Sequence, residues 1–132
     1  MRRAARRDAI ASRPNKKAQE YPRGVRPESR GKLVRKADFD AVYRNGKRRS
    51  SSHFTVFLKA NDLPESRFGF SIKRALGGAV VRNRIRRRIR EVVRLHRKEI
   101  SAGWDFVIHP KPNVESAVFA ALEDDLVRLL TV

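Results

Sequence analysis

Residues 79–91 read AVVRNRIRRRIRE, with six arginines in thirteen positions and Val81, Ile85 and Ile89 spaced four apart among them. Val92, His96 and Ile100 extend the line in steps of three or four, so the pattern predicts one helix from about Ala79 to Ser101 with a single apolar stripe. Arg82, Arg86 and Arg90 step by four along a second line, Arg84 and Arg88 along a third, and Arg87 and Arg94 widen the polar surface. Like charges at that spacing cost a helix about 0.2–0.5 kcal/mol per pair. A chain carrying this segment must bury the stripe on other elements and set the guanidinium surface against a polyanion. Arginine suits that role, because its planar fork meets phosphate oxygens two at a time and can stack on bases. Asn83 adds an amide able to bond a base edge or a 2′-hydroxyl, and the helix start favours a phosphate.

The charge is uneven along the 132 residues. Net charge is +18, and residues 73–98 hold eleven Lys/Arg against one Glu, whereas residues 99–132 hold two against six Asp/Glu. A field of this sign calls for nucleic acid first and an anionic membrane second. The chain has no cysteine, which excludes a disulfide framework and a thiolate metal site. No apolar run approaches the ~20 residues of a membrane span, and the arginine-rich start lacks the apolar segment of a secretory signal. His53, His96 and His109 stand far apart without metal-ligand spacing, and no P-loop, GxGxxG or nucleophile elbow occurs. His96 falls on the apolar stripe and reads as a satisfied core histidine. Glu123, Asp124 and Asp125 read as the solvated face of a terminal helix. Self-contained catalysis is therefore not expected.

Residues 1–30, with prolines at 14, 22 and 27 and ten basic against three acidic side chains, read as a disordered basic arm. Residues 31–132 read as one RNA-binding domain of α+β class, a small two-layer sandwich in the order α-β-β-(β)-α-β-α. KADFDAVYRNG predicts a short helix with Phe39, Val42 and Tyr43 on one face and Gly46 as its stop. SHFTVFL and RFGFSI alternate as strands. Phe54, Val56 and Leu58 face one way in the first; Phe68, Phe70 and Ile72 do so in the second, leaving Arg67, Gly69 and Ser71 as a smooth open face. Gly103 ends the basic helix, WDFVI is a strand that HPKP stops, and a last helix capped by Asn113 buries Val118, Leu122, Leu126 and Leu129.

A DNA-reading zipper helix would continue into leucine heptads, which Gly103, Pro110 and Pro112 interrupt, and flanking strands do not fit a helix-turn-helix. RNA fits better than DNA. Phe57 lies on the polar face of its strand beside Gly69 and Ser71, where an aromatic can stack an unpaired base, and Phe39 and Tyr43 either line that face or belong to the core. A structural ribosomal RNA-binding protein is the alternative reading. A membrane-active helix is disfavoured because the strands need its stripe.

GFSIKRALGGAVVRNRIRRRIRE, with DFDAVYRNG and HFTVF before it and WDFVIHPKP after it, closely resembles the signature of the bacterial ribonuclease P protein component, over roughly Gly31 to the C-terminus. The resemblance implies a four-stranded sheet with a left-handed β-α-β crossover. It also implies a ribonucleoprotein endonuclease that removes the 5′ leader of precursor transfer RNA in the cytoplasm. In such a particle the RNA and its bound Mg2+ perform catalysis, and the protein binds no cofactor alone. It implies that Arg82, Asn83, Arg84, Arg86, Arg87 and Arg90 contact the ribonuclease P RNA, one protein per RNA. Phe39, Tyr43 and Phe57 would then line the leader cleft. Where the family commonly shows Ser-Lys-Lys after the strand, this chain has Lys73, Arg74 and Ala75, so Arg74 is the cleft cation and Ala75 takes no role.

Overall fold

The computed structural model describes residues 31–33 and 35–132; the basic arm expected over 1–30 lies outside them. Three helices and four strands run in the order α1 (Lys36–Asn45), β1 (Lys47–Ser50), β2 (Phe54–Ala60), β3 (Arg67–Phe70), α2 (Ala79–Leu95), β4 (Trp104–Pro110) and α3 (Phe119–Leu130). Short 3-10 turns at Arg74–Leu76 and Pro112–Val114 lead into the helical segments that follow them. This is the expected α+β class.

The sheet order is β1-β2-β4-β3. β1–β2 and β2–β4 are antiparallel, whereas β3 and β4 are parallel and joined through α2, giving a β-α-β unit. Strand alternation sorts the side chains. Phe54, Val56 and Leu58 pair with Pro110, Ile108 and Phe106, so they share the face packed by α2 and α3. Ile85, Ile89, Val92 and Val93 of α2 and Leu122, Leu126, Leu129 and Leu130 of α3 fill that core. Burying each such side chain stabilises by about 1.5–3 kcal/mol. The repulsion among neighbouring arginines is several times smaller, so the stripe holds the charged helix in place.

Helix α1 crosses the opposite face. Val42 packs on Val107 and Leu33, and the ring of Phe39 lies over Gly69 so closely that a Cβ there would stand 2.6 Å from it. The Arg67–Gly69–Ser71 face is thus covered at Gly69 rather than open: the missing side chain is the seat for Phe39. Arg67 makes a bidentate pair with the buried Asp105 and also reaches Asp38 of α1, tying β3, β4 and α1 together.

Several sequence expectations shift. β1, reading KRRS, has no apolar alternation and is recognisable only through its pairing with β2. α2 ends at Leu95, six residues before Ser101, and the chain turns through His96–Ile100. β4 runs through His109 to Pro110, a strand end where no further ladder donor is needed. The last helix starts at Phe119, so Val118 is its exposed cap residue at 69% and Asn113 caps nothing; the Asn113 amide instead donates to the Ser52 carbonyl. Asp125 is buried at 5%, not solvated, and accepts from the Ser51 hydroxyl and from the amide and ring of His53. These bonds hold its carboxyl below the ordinary range against a burial that raises it. His96 sits at the rim instead of the core, its two ring nitrogens 2.7 Å from Glu99 and Glu123.

Candidate nucleic-acid interface

Helix α2 presents its charge in three lines with different surroundings. On the flank facing the loop before α3, Arg88 is taken up structurally: it donates to the carbonyls of Val114, Glu115 and Ala117. Arg84, beside it, lies 3.9 Å from Glu115 and remains half exposed. On the outer face, Val80, Asn83, Arg86, Arg87 and Arg90 line a shallow polar depression, in which Arg86 donates to the Asn83 side-chain oxygen at 2.9 Å. On the flank toward β3, the Arg90 guanidinium stands 5.9 Å from the centroid of Phe70, a cation–π distance. Arg82 is partly buried, and among the described residues its Nε finds no partner. Arg94 and Arg97 are tethered to Glu91 and Glu65.

The aromatic candidates divide. Tyr43 and Phe57 meet edge-on, with centroids 5.0 Å apart, and His109 completes a cluster with both. Phe39, one turn earlier on α1, points instead to Gly69 and β3. Burial raises the Tyr43 phenol above its ordinary value despite an opposing hydrogen bond with Ser71. Burial, followed by the nearby Lys73 charge, lowers the His109 imidazole. At neutral pH a protonated phenol and a neutral imidazole share one hydrogen bond, between the Tyr43 hydroxyl and His109 Nε2 across 2.8 Å. Arg74 is exposed on the 3-10 turn that follows β3. Sequence reasoning does not single out His109 as a site residue. Its signal is register: Thr55 pairs with His109 and Phe57 with Val107, so His109 emerges on the face of Phe57.

Among the described residues no group of three or more His, Asp or Glu side chains is arranged to hold a metal ion, and no helix is long and apolar enough to cross a membrane.

A sheet carrying an arginine helix on one layer and a small aromatic cluster on the other defines a class: small, basic α+β RNA-binding proteins. The family model described as Ribonuclease P matches residues 28–132. The chain belongs to the ribonuclease P protein family. It is 41% identical over 104 residues to the ribonuclease P protein component of Acidothermus cellulolyticus, covering 77% of this chain and 87% of that one. For the component of Syntrophus aciditrophicus the identity is 37% over 100 residues, covering 76% and 84%. The ribonuclease P protein structure from Thermotoga maritima superposes with a TM-score of 0.72 at 29% identity, covering 77% of this chain and 96% of that chain. That from Staphylococcus aureus gives 0.69 at 27%, covering 76% and 92%.

Proposed function

We propose that this chain is the protein subunit of a ribonuclease P particle and supports 5′-end maturation of transfer RNA by binding two RNAs at once. Arg82, Asn83, Arg84, Arg86, Arg87 and Arg90 dock the catalytic RNA, one protein per RNA. Tyr43 and Phe57 stack unpaired bases of the precursor's 5′ leader, with Arg74 neutralising a leader phosphate. Cleavage belongs to the RNA and the Mg2+ it binds, in the cytoplasm. The protein contributes position and charge, and it lowers the Mg2+ needed for productive substrate binding.

The observation that carries this reading is the segregation of chemistry. Cations crowd α2, while the exposed Tyr43 and the half-buried Phe57 lie on the opposite side of the sheet, so one small domain can face a structured RNA and a single strand together. The test is 5′ cleavage of a precursor transfer RNA by a bacterial-type ribonuclease P RNA, at a Mg2+ concentration where the RNA alone is nearly inactive. Stimulation by the protein is expected, and it should fall with Phe57→Ala for long leaders while leaderless transfer RNA binds as before. No stimulation would overturn the subunit reading, and equal losses with and without a leader would overturn the cleft assignment.

A further inference from the structure

A groove of about 500 Å³ opens at the outer edge of β3, between α2 and the segment before α1. That is within the ~300–1,000 Å³ range of ligand pockets. Its lining is apolar where Phe70 and Val93, on the α2 side of β3, meet Leu33 and the edge of the Phe39 ring from the α1 side. Its wall is cationic. Arg94 and Arg97 stand in the wall but are committed to Glu91 and Glu65, whereas Lys32, Arg86 and Arg90 form no ion pair with any described carboxylate. The groove is also braced. Leu33 donates to the Phe68 carbonyl and Phe68 to the Gly31 carbonyl, so one rim is hydrogen-bonded to the sheet edge.

An apolar lining beside unneutralised cations matches a planar base joined to a phosphate. A purely apolar ligand would leave the arginines unmatched, and inorganic phosphate would leave the lining wet. By its charge alone, the segment of residues 1–30, ten basic against three acidic, is a poor match for this wall. We infer that the β3-edge groove is a nucleotide-binding pocket that receives one unpaired nucleotide of the RNA docked on α2, its base on Phe70 against the apolar rim of Leu33 and Phe39, and its phosphate on Arg86, Arg90 and Lys32. The inference rests on α2 being the RNA-docking helix, and it adds a pocket that neither the outer face of α2 nor the Tyr43–Phe57–His109 cluster supplies. Arg90 already stands over Phe70, so the base enters a stack whose cation is in place.

The experiment has two arms. In the first, the full isotope-labelled chain is titrated with adenosine 5′-monophosphate and, separately, with ribose 5-phosphate, while backbone amide signals are followed. Saturable shifts at Leu33, Gly69, Phe70 and Val93 are expected from the nucleotide and much weaker ones from the sugar phosphate. Arg90→Gln should weaken the nucleotide about tenfold, as expected when one charge-assisted hydrogen bond is removed. Phe39→Leu, which keeps the lining apolar, should weaken it less while leaving the fold's spectrum in place. Equal response to both ligands would reduce the groove to diffuse electrostatics and overturn the inference. So would shifts confined to Val80 and Asn83, or occupancy by an extended acidic peptide with none by the nucleotide. In the second arm, a benzophenone photocrosslinker at position 97, exposed in the groove wall, is irradiated in the assembled particle with precursor. Attachment to the catalytic RNA is expected; attachment to the leader alone would overturn the assigned source. If cleavage stimulation persists while both arms fail, the pocket falls and the subunit reading stands.

Discussion

Arg87 and Arg88 are adjacent and chemically identical, yet the fold gives them opposite tasks. Arg88 satisfies three carbonyls of the loop before α3, whereas Arg87 lines the exposed depression beside Asn83. Arg88→Ala leaves carbonyls without their donor, and we expect a loss of about 1–3 kcal/mol in denaturant-measured stability. The salt dependence of RNA binding, measured on the folded fraction, should stay unchanged in that variant. No local pattern separates the two, because the difference is made by a loop 26 residues downstream of Arg88. The same holds for Asp125. It belongs to an acidic triplet that looks solvated, but only Asp125 meets Ser51 and His53 from the β1–β2 connection. His96 shows how one residue can be read correctly for position and wrongly for role. It lies on the apolar stripe, but α2 ends just before it and two carboxylates take its nitrogens. Hydrogen bonds donated to the carboxylates of Glu123 and then Glu99 raise its pKa above the usual 6.5. The stabilisation is therefore fully present below pH 6.5 and lost as pH rises through the raised folded value. Thermal melts across that window should show stability falling with pH in the wild type. The slope should be reduced in His96→Gln, and an identical slope would remove His96 from the linkage.

At the scale of elements, periodicity makes most of the fold legible. The four-residue spacing of Ile85 and Ile89 marks α2, and the alternation of Phe54, Val56 and Leu58 marks β2, because burial imposes each period on the sequence. β1 escapes because an edge strand of KRRS buries almost nothing. It is held instead by its ladder with β2 and by Arg49, which donates to the Leu129 and Thr131 carbonyls at the end of α3. The aromatic cluster is half legible. Phe57 is conspicuous as an aromatic on a polar face, while His109 needs the β2–β4 register and Phe39 needs the position of Gly69. Gly46 joins α1 to β1 in a corner with no room: a Cβ there would stand against the backbone carbonyls of Val42 and Leu58. Gly46→Ala should cost about 1–3 kcal/mol, as overpacking against unyielding backbone does, and should shift the α1 amide signals. Wild-type stability in that variant would show that the corner relaxes freely.

Across the whole molecule, charge is polarised. Residues 73–98 concentrate the basic side chains on and before α2, and residues 99–132 carry a net negative charge around α3 and the turn after α2. A polyanion is drawn to the arginine side and repelled from the other, so charge alone orients the domain before any contact forms. The apolar stripe keeps that orientation fixed relative to the aromatic cluster across the sheet. The central claim is that the outer face of α2 is the surface that meets RNA phosphates, and the salt dependence of binding tests it most directly. Affinity of the full chain for ribonuclease P RNA should be measured across a series of monovalent salt concentrations for the wild type and for Arg86→Ala/Arg87→Ala. The double variant is expected to bind more weakly, with a log–log slope shallower by about 0.7–0.9 for each phosphate it no longer neutralises. Weaker binding with an unchanged slope, or no change in either, would contradict that claim.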